Sequence, residues 1–171
     1  MSCVGNLNRN NMKTDSPQKA SGMNLRSIFR CMMEEGYYPV FEHTHIQFGL
    51  EDNIGIVEYE EGILSVRLFF SIDEDAYDLF LEASNMTMLE TFCVKTAVLD
   101  DMKNIMFGCE IFCDNIRDFK RFFPRACSRL KEALMTHKSE MKKLILASEV
   151  ANATIPAKED SMTGIVHKIL S

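Results

Sequence analysis

The sequence has no tryptophan, only eight glycines and four prolines in 171 residues, and no long uncharged apolar run. The low glycine and proline content excludes a collagen-like chain or one dominated by linkers. A membrane span needs about 18 uncharged apolar residues, so we expect no membrane-spanning segment. The length and an apolar content of 46% are those of a single domain that folds without a disulfide or a metal.

The six cysteines include no CxxC pair, and the polar first 22 residues lack the apolar core of a secretory signal. A secreted domain held together by disulfides is normally shorter and richer in cysteine. We therefore expect reduced thiols and a cytoplasmic protein.

Three segments differ in periodicity. Residues 1–22 are rich in Asn, Ser and Lys and have no apolar repeat, so we expect them to be disordered. Residues 23–147 are expected to form one domain. Residues 148–171, where the periodicity fades, are expected to form a mobile tail. Met1, Met12 and Met23 all remain open as translation starts.

Within the domain, apolar spacing predicts the element order α-β-β-β-α-β-β-α, with short turns that make neighbouring strands antiparallel. The predicted fold class is therefore α+β, a five-stranded antiparallel sheet with the first and last helices on one face. The predicted helices cover residues 23–35, a second stretch that ends near residue 83, and residues 116–147. At Pro124 the last helix either kinks, which we expect, or a second helical segment begins. The predicted strands cover residues 40–50, 54–59, 63–72, 91–99 and 105–112.

Alternation along the third predicted strand places Leu64, Val66, Leu68 and Phe70 on the buried face of the sheet. The other face is mixed, and four large apolar side chains are expected on it: Phe41, Ile63, Phe69 and Phe112. A contiguous exposed apolar patch is the usual sign of an interaction surface. Two alternatives stay open, since a helix or tail could cover these residues, and an open sheet edge could instead add a strand from a partner.

Charge is unevenly distributed along the chain. Residues 36–114 contain 16 acidic and 3 basic residues, whereas residues 115–147 contain 9 basic and 3 acidic ones. The basic helix is explained by a solvated face attracted to its own acidic sheet, by recognition of an acidic protein segment or second copy, or by nucleic-acid binding through Arg121, Arg125 and Arg129. Nucleic-acid binding is the weakest explanation, because the acidic domain would repel a polyanion and no aromatic residues are interleaved for base stacking.

Candidate chemistry is sparse. His43 and His45 would share one face of a strand, and with Glu42 or Glu58 they could bind a metal, but no third ligand has a matching spacing. No glycine-rich phosphate loop or GxSxG nucleophile motif is present. We expect no enzyme activity and no cofactor, with a metal-dependent enzyme using His43 and His45 as the alternative.

Four segments resemble a known fold, that of type III secretion chaperones, and within it the YbjN-like group of regulators assigned to bacterial sensory transduction. The likeness covers about residues 23–145, and Pro124 and the extra C-terminal residues depart from it. The segments are Gly36-Tyr-Tyr-Pro-Val40, Gly62-Ile-Leu-Ser-Val-Arg-Leu-Phe-Phe-Ser-Ile-Asp73, Glu82-Ala-Ser-Asn85 and Asp118-Phe-Lys-Arg-Phe-Phe123.

The resemblance implies a small acidic cytosolic protein that binds another polypeptide, often pairs with itself, and has no catalytic residues or cofactor. Together with the residue patterns, it leads us to expect a chaperone-like or regulatory binding module. We expect a homodimer that engages a protein partner through Phe41, Ile63, Phe69 and Phe112.

Overall fold

A six-stranded antiparallel sheet forms the centre of the computed structural model, which describes residues 22–99 and 103–154. The spatial order of the strands is β1-β2-β3-β4-β6-β5. The strands are β1 (Val40–Glu42), β2 (His45–Leu50), β3 (Asn53–Glu60), β4 (Ile63–Ser71), β5 (Lys95–Val98) and β6 (Asn104–Phe112).

Three α-helices pack on one side of the sheet, which we call the inner face. They are α1 (Leu25–Glu34), α2 (Tyr77–Glu90) and α3 (Ile116–Thr154), with a 3₁₀ turn at Glu74–Ala76 before α2. The predicted α+β class is confirmed, and so is the placement of the first and last helices on one face. The predicted count of five strands is wrong.

The additional strand comes from a tight hairpin inside the segment predicted as a single strand over residues 40–50. Glu42 lies opposite His45, so only His43 and Thr44 form the turn between β1 and β2. Neither residue is one of the Gly, Asn, Asp or Pro residues that mark turns. The chain therefore reverses at a point where the sequence contains no turn signal.

The inner face holds the core that the alternation predicted. Leu64, Val66 and Leu68 have no exposed surface, and Phe70 is partly buried. From α3, the Phe123 ring lies 5.2 Å from the Phe48 ring of β2, centroid to centroid. Each fully buried side chain of this size stabilises the fold by about 1.5–3 kcal/mol.

Helix α1 ends where its sequence predicts, before Gly36, and begins at Leu25, two residues after the predicted start. Asn24 and Ser27 form a reciprocal capping box, in which each side chain accepts a hydrogen bond from the other residue's backbone N–H. The helix stops before Gly36, whose φ of +81° is left-handed. Glycine adopts that conformation without the cost that a Cβ would add.

Helix α2 is longer than predicted, because it continues through Asn85 to Glu90 instead of ending near residue 83. The second half of α2 contains buried polar side chains whose hydrogen bonds are made within the helix. The hydroxyls of Ser84 and Thr87 each donate to the carbonyl four residues earlier, at 2.7 Å. These residues can therefore be buried without losing hydrogen bonds. The predicted strand over residues 91–99 is correspondingly shortened to β5.

Helix α3 is a single helix of 39 residues, with Pro124 inside it. Asn115 caps it, because its side-chain oxygen accepts a hydrogen bond from the Asp118 N–H at 3.0 Å. The helix continues through Thr154, beyond the end predicted near residue 147. The remaining predictions for the two tails fall on residues 1–21 and 155–171, outside the described residues. In the part of the chain that is described, no helix combines the length and apolarity that a membrane crossing requires.

Candidate binding face

The side of the sheet opposite the helices, which we call the outer face, is covered by no helix of the described part of the chain. Strand register aligns one outward-facing residue from every strand in a central row. That row runs across the full width of the sheet through Val40, Gln47, Ile56, Arg67, Gly108 and Lys95.

One end of the outer face is apolar. Phe69 of β4 pairs with Met106 of β6, and Met106 pairs with Ala97 of β5. Ile54 directly precedes Gly55, which pairs with Leu68, so Ile54 lies next to Phe69 on the outer face. The exposed fractions are 66% for Ile54 and 39% for Phe69. We call Ile54, Phe69, Ala97 and Met106 the apolar end.

Gly55 explains why Ile54 and Ile56 both face outward. Gly55 lies on the inner face opposite Phe48, and a Cβ built on it would come within 2.4 Å of the Phe48 ring. The ring therefore occupies the space that a side chain at Gly55 would need. The apolar residues on either side of Gly55 consequently project to the outer face.

A charged band crosses the middle of the outer face. The Arg67 guanidinium lies 2.8 Å from the Glu58 carboxylate and 3.9 Å from that of Glu110, and the Lys95 ammonium lies 2.5 Å from Glu110. All four side chains are about one-third or more exposed. Ion pairs of this kind contribute about 0–1 kcal/mol each, so the band shapes the surface more than it stabilises the fold.

Three residues of the band, Glu58, Arg67 and Glu110, also form one wall of an open depression of about 780 Å³. Four carboxylates and one cation, Arg67, line it, together with Ser65 and uncharged walls. We call it the acidic depression; its carboxylates are Glu58, Glu60, Glu61 and Glu110, and its other walls are Thr44, Tyr59 and Ile63.

Ser65 is the unusual residue of the acidic depression. It lies between Glu58 and Glu110 in register and is only 6% exposed. Its hydroxyl has no hydrogen-bond partner among the described residues. Leaving a buried hydroxyl unpaired costs about 1–3 kcal/mol, which a ligand could recover.

The four predicted site residues do not form one patch. Ile63 and Phe112 lie opposite each other beside the acidic depression. Phe69 lies six residues further along β4, which is about 20 Å away by strand rise, with the charged band between. Phe41 lies on the inner face, because it pairs with buried Ile46, and its ring is 5.7 Å from that of Phe29. The prediction that Phe41 shares a face with the other three is wrong.

The sequence prediction missed Ile54 and Met106 as members of the outer face. Glycine between two isoleucines, in residues 54–56, was the available signal, since the small residue of an alternating strand can be the one that faces a large ring. Which residues then lie together depends on the register between strands, which no sequence pattern specified.

The two histidines considered as metal ligands are not on one strand. His43 lies exposed in the β1–β2 turn, whereas His45 begins β2 and its Nε2 is 3.3 Å from the Gln47 amide nitrogen. The metal hypothesis required His43 and His45 to share one face of a strand, and that prediction is wrong. Among residues 22–99 and 103–154, no group of three or more His, Cys, Asp or Glu side chains could hold a metal ion.

Several cations of α3 are engaged within the protein. Lys120 lies 2.8 Å from Glu35 at the end of α1, and Lys131 lies 2.7 Å from Glu51 in the β2–β3 turn. Arg129, one of the three arginines considered for nucleic-acid contact, lies 2.6 Å from Glu132. These contacts favour the explanation in which the basic helix is attracted to the protein's own acidic groups.

The five described cysteines are all free. Burial raises the pKa of Cys127 to about 12 and that of Cys113 to about 11. These two thiols therefore remain protonated at neutral pH, and a protonated thiol is a poor nucleophile. Cys93 is the exposed member of the set.

A buried histidine lies between α2 and α3. The His137 ring stacks on Phe80 at 5.8 Å and meets the edge of Phe107 at 5.2 Å, and its Nε2 is 3.5 Å from the Ser84 hydroxyl. Burial lowers the pKa of His137 to about 4. Ser84 and His137 are 2% and 5% exposed, so this pair lies in the helix interface and not in an open site.

Comparison with known proteins identifies the fold. No protein-family model matches the sequence, and none of the curated proteins compared with it matches. Among solved structures, YbjN from E. coli, described as a proposed transcription regulator, aligns with a TM-score of 0.58. That alignment covers 71% of this chain and 94% of YbjN at 8% identity. The chain has a YbjN-like fold.

The resemblance to YbjN stated from four sequence segments is thus confirmed for the fold. An uncharacterized protein from Methanothermobacter thermautotrophicus also aligns, with a TM-score of 0.49 and 13% identity, over 69% of this chain and 96% of that one. At an identity of 8%, the similarity to YbjN extends to the fold alone.

Proposed function

We propose that this YbjN-like protein is a non-catalytic regulatory protein that binds a polypeptide partner on the outer face of its sheet. The observation that carries the proposal is the apolar end. Ile54 and Phe69 expose apolar surface on a face that no helix of residues 22–99 and 103–154 covers. The regulatory role is taken from YbjN, which is described as a proposed transcription regulator.

The apolar end favours binding because its side chains are in contact with water. Contiguous exposed apolar surface is costly to solvate, and burying it on a partner stabilises a complex by about 25 cal/mol per Å². The charged band beside the apolar end would then form the polar rim of the interface, which fixes the orientation of the partner. Both sheet edges are short, three residues in β1 and four in β5. A face-on contact is therefore favoured over strand addition.

The proposal is tested by capture from the extract of the native host. Wild-type protein and the variant Phe69→Glu are each immobilised, and the retained polypeptides are compared by mass spectrometry. Phe69→Glu places a charge in the apolar end, so we expect it to lose the partner by tenfold or more. Met135→Glu, at a residue that is 73% exposed on α3, is the matched control and should retain it. Equal loss in both variants, or in neither, would contradict the proposal.

We also propose that the protein is a cytoplasmic homodimer in which two copies pair through exposed apolar surface. Multi-angle light scattering across a concentration series measures this directly. The expected mass is twice 19.6 kDa. A mass of one chain at all concentrations would contradict the dimer and leave the partner-binding proposal to its own test.

A further inference from the structure

We propose that the acidic depression is the binding site for the cationic N-terminal segment of the same chain, residues 1–21, with Lys19 as the nearest cation. This inference does not depend on the proposed function. It concerns the acidic depression at one end of the outer face, whereas the partner is proposed to bind the apolar end across the charged band.

Charge complementarity is the first argument. Of the four carboxylates of the acidic depression, Glu58 pairs with Arg67, and Glu110 lies within 4 Å of both Arg67 and Lys95. Glu60 and Glu61 have no cationic partner among the described residues. Residues 1–21 contain three cations, Arg9, Lys13 and Lys19, and one anion, Asp15. Residues 155–171 have equal numbers of cations and anions and are therefore the poorer match.

The unpaired hydroxyl of Ser65 is the second argument, and it is independent of charge. Ser65 is 94% buried in the part of the depression that Glu58 and Glu110 flank, and its oxygen lacks a hydrogen-bond partner in the described structure. A lysine ammonium carries three donors and no acceptor. The Ser65 oxygen has almost no accessible surface, so an ammonium would reach it by displacing a neighbouring side chain, and would then donate to it as well as to Glu58 or Glu110.

The point at which the chain enters the described structure is the third argument. Met23 contacts Cys113, with the two sulfur atoms 4.0 Å apart. The N–H of Cys113 donates to the carbonyl of Gly62 at 2.8 Å, and the Tyr59 hydroxyl donates to the Cys113 carbonyl at 3.0 Å. Tyr59 is a wall of the acidic depression, and Gly62 directly follows Glu61. The segment therefore joins the domain at the same end of the sheet as the depression, but on the inner face, so it must pass around that end to reach the depression.

Chain length permits the contact at little entropic cost. Lys19 is three residues before Gly22, and three extended residues span about 10 Å. A ligand tethered through a short linker is held at an effective concentration in the millimolar range. Weak ion pairs, worth less than about 1 kcal/mol each in isolation, are then sufficient to keep the site largely occupied.

The test uses the full chain and a zero-length carbodiimide, which joins an amine to a carboxylate in direct contact. Coupled peptides are identified by mass spectrometry in a mixture of normal and ¹⁵N-labelled chains, so that coupling within one chain is distinguished from coupling between two. We expect Lys13 and Lys19 to couple within one chain to Glu58, Glu60, Glu61 or Glu110. Their yields should fall at least fivefold in about 1 M salt, where the Debye length is about 3 Å.

Two controls are built into the chain. Lys95, at 2.5 Å from Glu110, reports that the chemistry works in every sample. Glu82 and Glu90, exposed on α2, report how often the segment meets carboxylates at random. The double variant Glu60→Lys and Glu61→Lys should abolish coupling of Lys19. The triple variant that also contains Lys19→Glu should couple again. In it the carboxylate at position 19 is joined to an amine at position 60 or 61.

Three results would overturn the inference. Lys19 could couple to Glu82 and Glu90 as often as to the acidic depression, which would mean random contact. Coupling could occur only between labelled and unlabelled chains, which would make a second copy the occupant. The charge reversals could leave the pattern unchanged. Capture of a partner by the apolar end would be unaffected by any of these, so the two proposals fail separately.

Discussion

At the scale of single residues, Gly55 fixes which side chains the sheet presents to solvent. A Cβ on Gly55 would lie 2.4 Å from a Phe48 ring carbon, so Gly55→Ala must displace a buried ring. We expect a loss of about 1–3 kcal/mol in the free energy of unfolding, measured by urea denaturation. Gly49→Ala is the control, because a Cβ there meets nothing within 4 Å, and it should stay within about 0.5 kcal/mol of wild type. Equal midpoints for the two variants would contradict this packing.

His137 predicts a pH dependence of stability. Its pKa is lowered by burial from 6.5 to about 4 in the folded protein. Below pH 6.5 the unfolded chain therefore gains a proton that the folded chain does not, and stability falls as the pH decreases from 6.5 to about 4. The effect at the lower end is at most roughly 3 kcal/mol, since one pKa unit corresponds to about 1.4 kcal/mol.

The measurement is urea denaturation of wild type and His137→Gln between pH 4 and 7. The difference in unfolding free energy between them should narrow as the pH falls through this window, because the variant lacks the titrating group. The exposed His43→Gln is the control and should track wild type at every pH. A difference that is independent of pH would contradict a buried neutral His137.

Single residues also explain where sequence reasoning succeeded and where it failed. The burial of Leu64, Val66 and Leu68 was predictable because the alternation along β4 is uninterrupted. Phe41 was assigned to the wrong face because alternation was continued across His43 and Thr44, where the chain turns back. A hairpin turn without glycine or asparagine cannot be recognised from its local sequence. A single missed turn of this kind reverses the predicted face of the residues before it.

At the scale of elements, the start of α3 depends on Asn115. Its side-chain oxygen accepts from the Asp118 N–H, and its amide donates to the Asp118 carboxylate at 2.7 Å. Asn115→Ala removes both bonds and should cost about 1 kcal/mol in unfolding free energy. Asn115→Ser keeps a capping oxygen and should recover most of that loss. If Ala and Ser were equally stable in urea denaturation, the cap would not be what stabilises this helix end.

Elements with a long apolar repeat were predictable, and those stabilised by their own polar groups were not. Helix α3 could be predicted because its buried positions recur every three or four residues, from Phe119 through Leu130 to Met141. The second half of α2 was missed because Ser84 and Thr87 are typical of loops. Their hydroxyls donate to carbonyls within the helix, so both residues are buried without losing hydrogen bonds.

At the scale of the whole molecule, residues 22–99 and 103–154 form a sheet with helices on one side and a second face that no helix among these residues covers. The element order was predictable except at residues 40–50, where one predicted strand is the β1–β2 hairpin, and the resemblance to a YbjN-like fold rested on that order. The strand order was not predictable, because β6 lies between β4 and β5 through contacts distant in sequence. The outward positions of Ile63, Phe69 and Phe112 were predictable from alternation. Their division into two regions depends on the charged band between them.

The central claim is that a polypeptide partner binds the apolar end of the outer face, and site-specific photo-cross-linking tests it most directly. A photoreactive phenylalanine analogue is placed at Phe69 and, in a second protein, at Met135 on α3. Both are irradiated in the extract of the native host. The account predicts a cross-linked heterologous polypeptide from position 69 and none from position 135. The same polypeptide joined only at position 135, or equally at both, would contradict it.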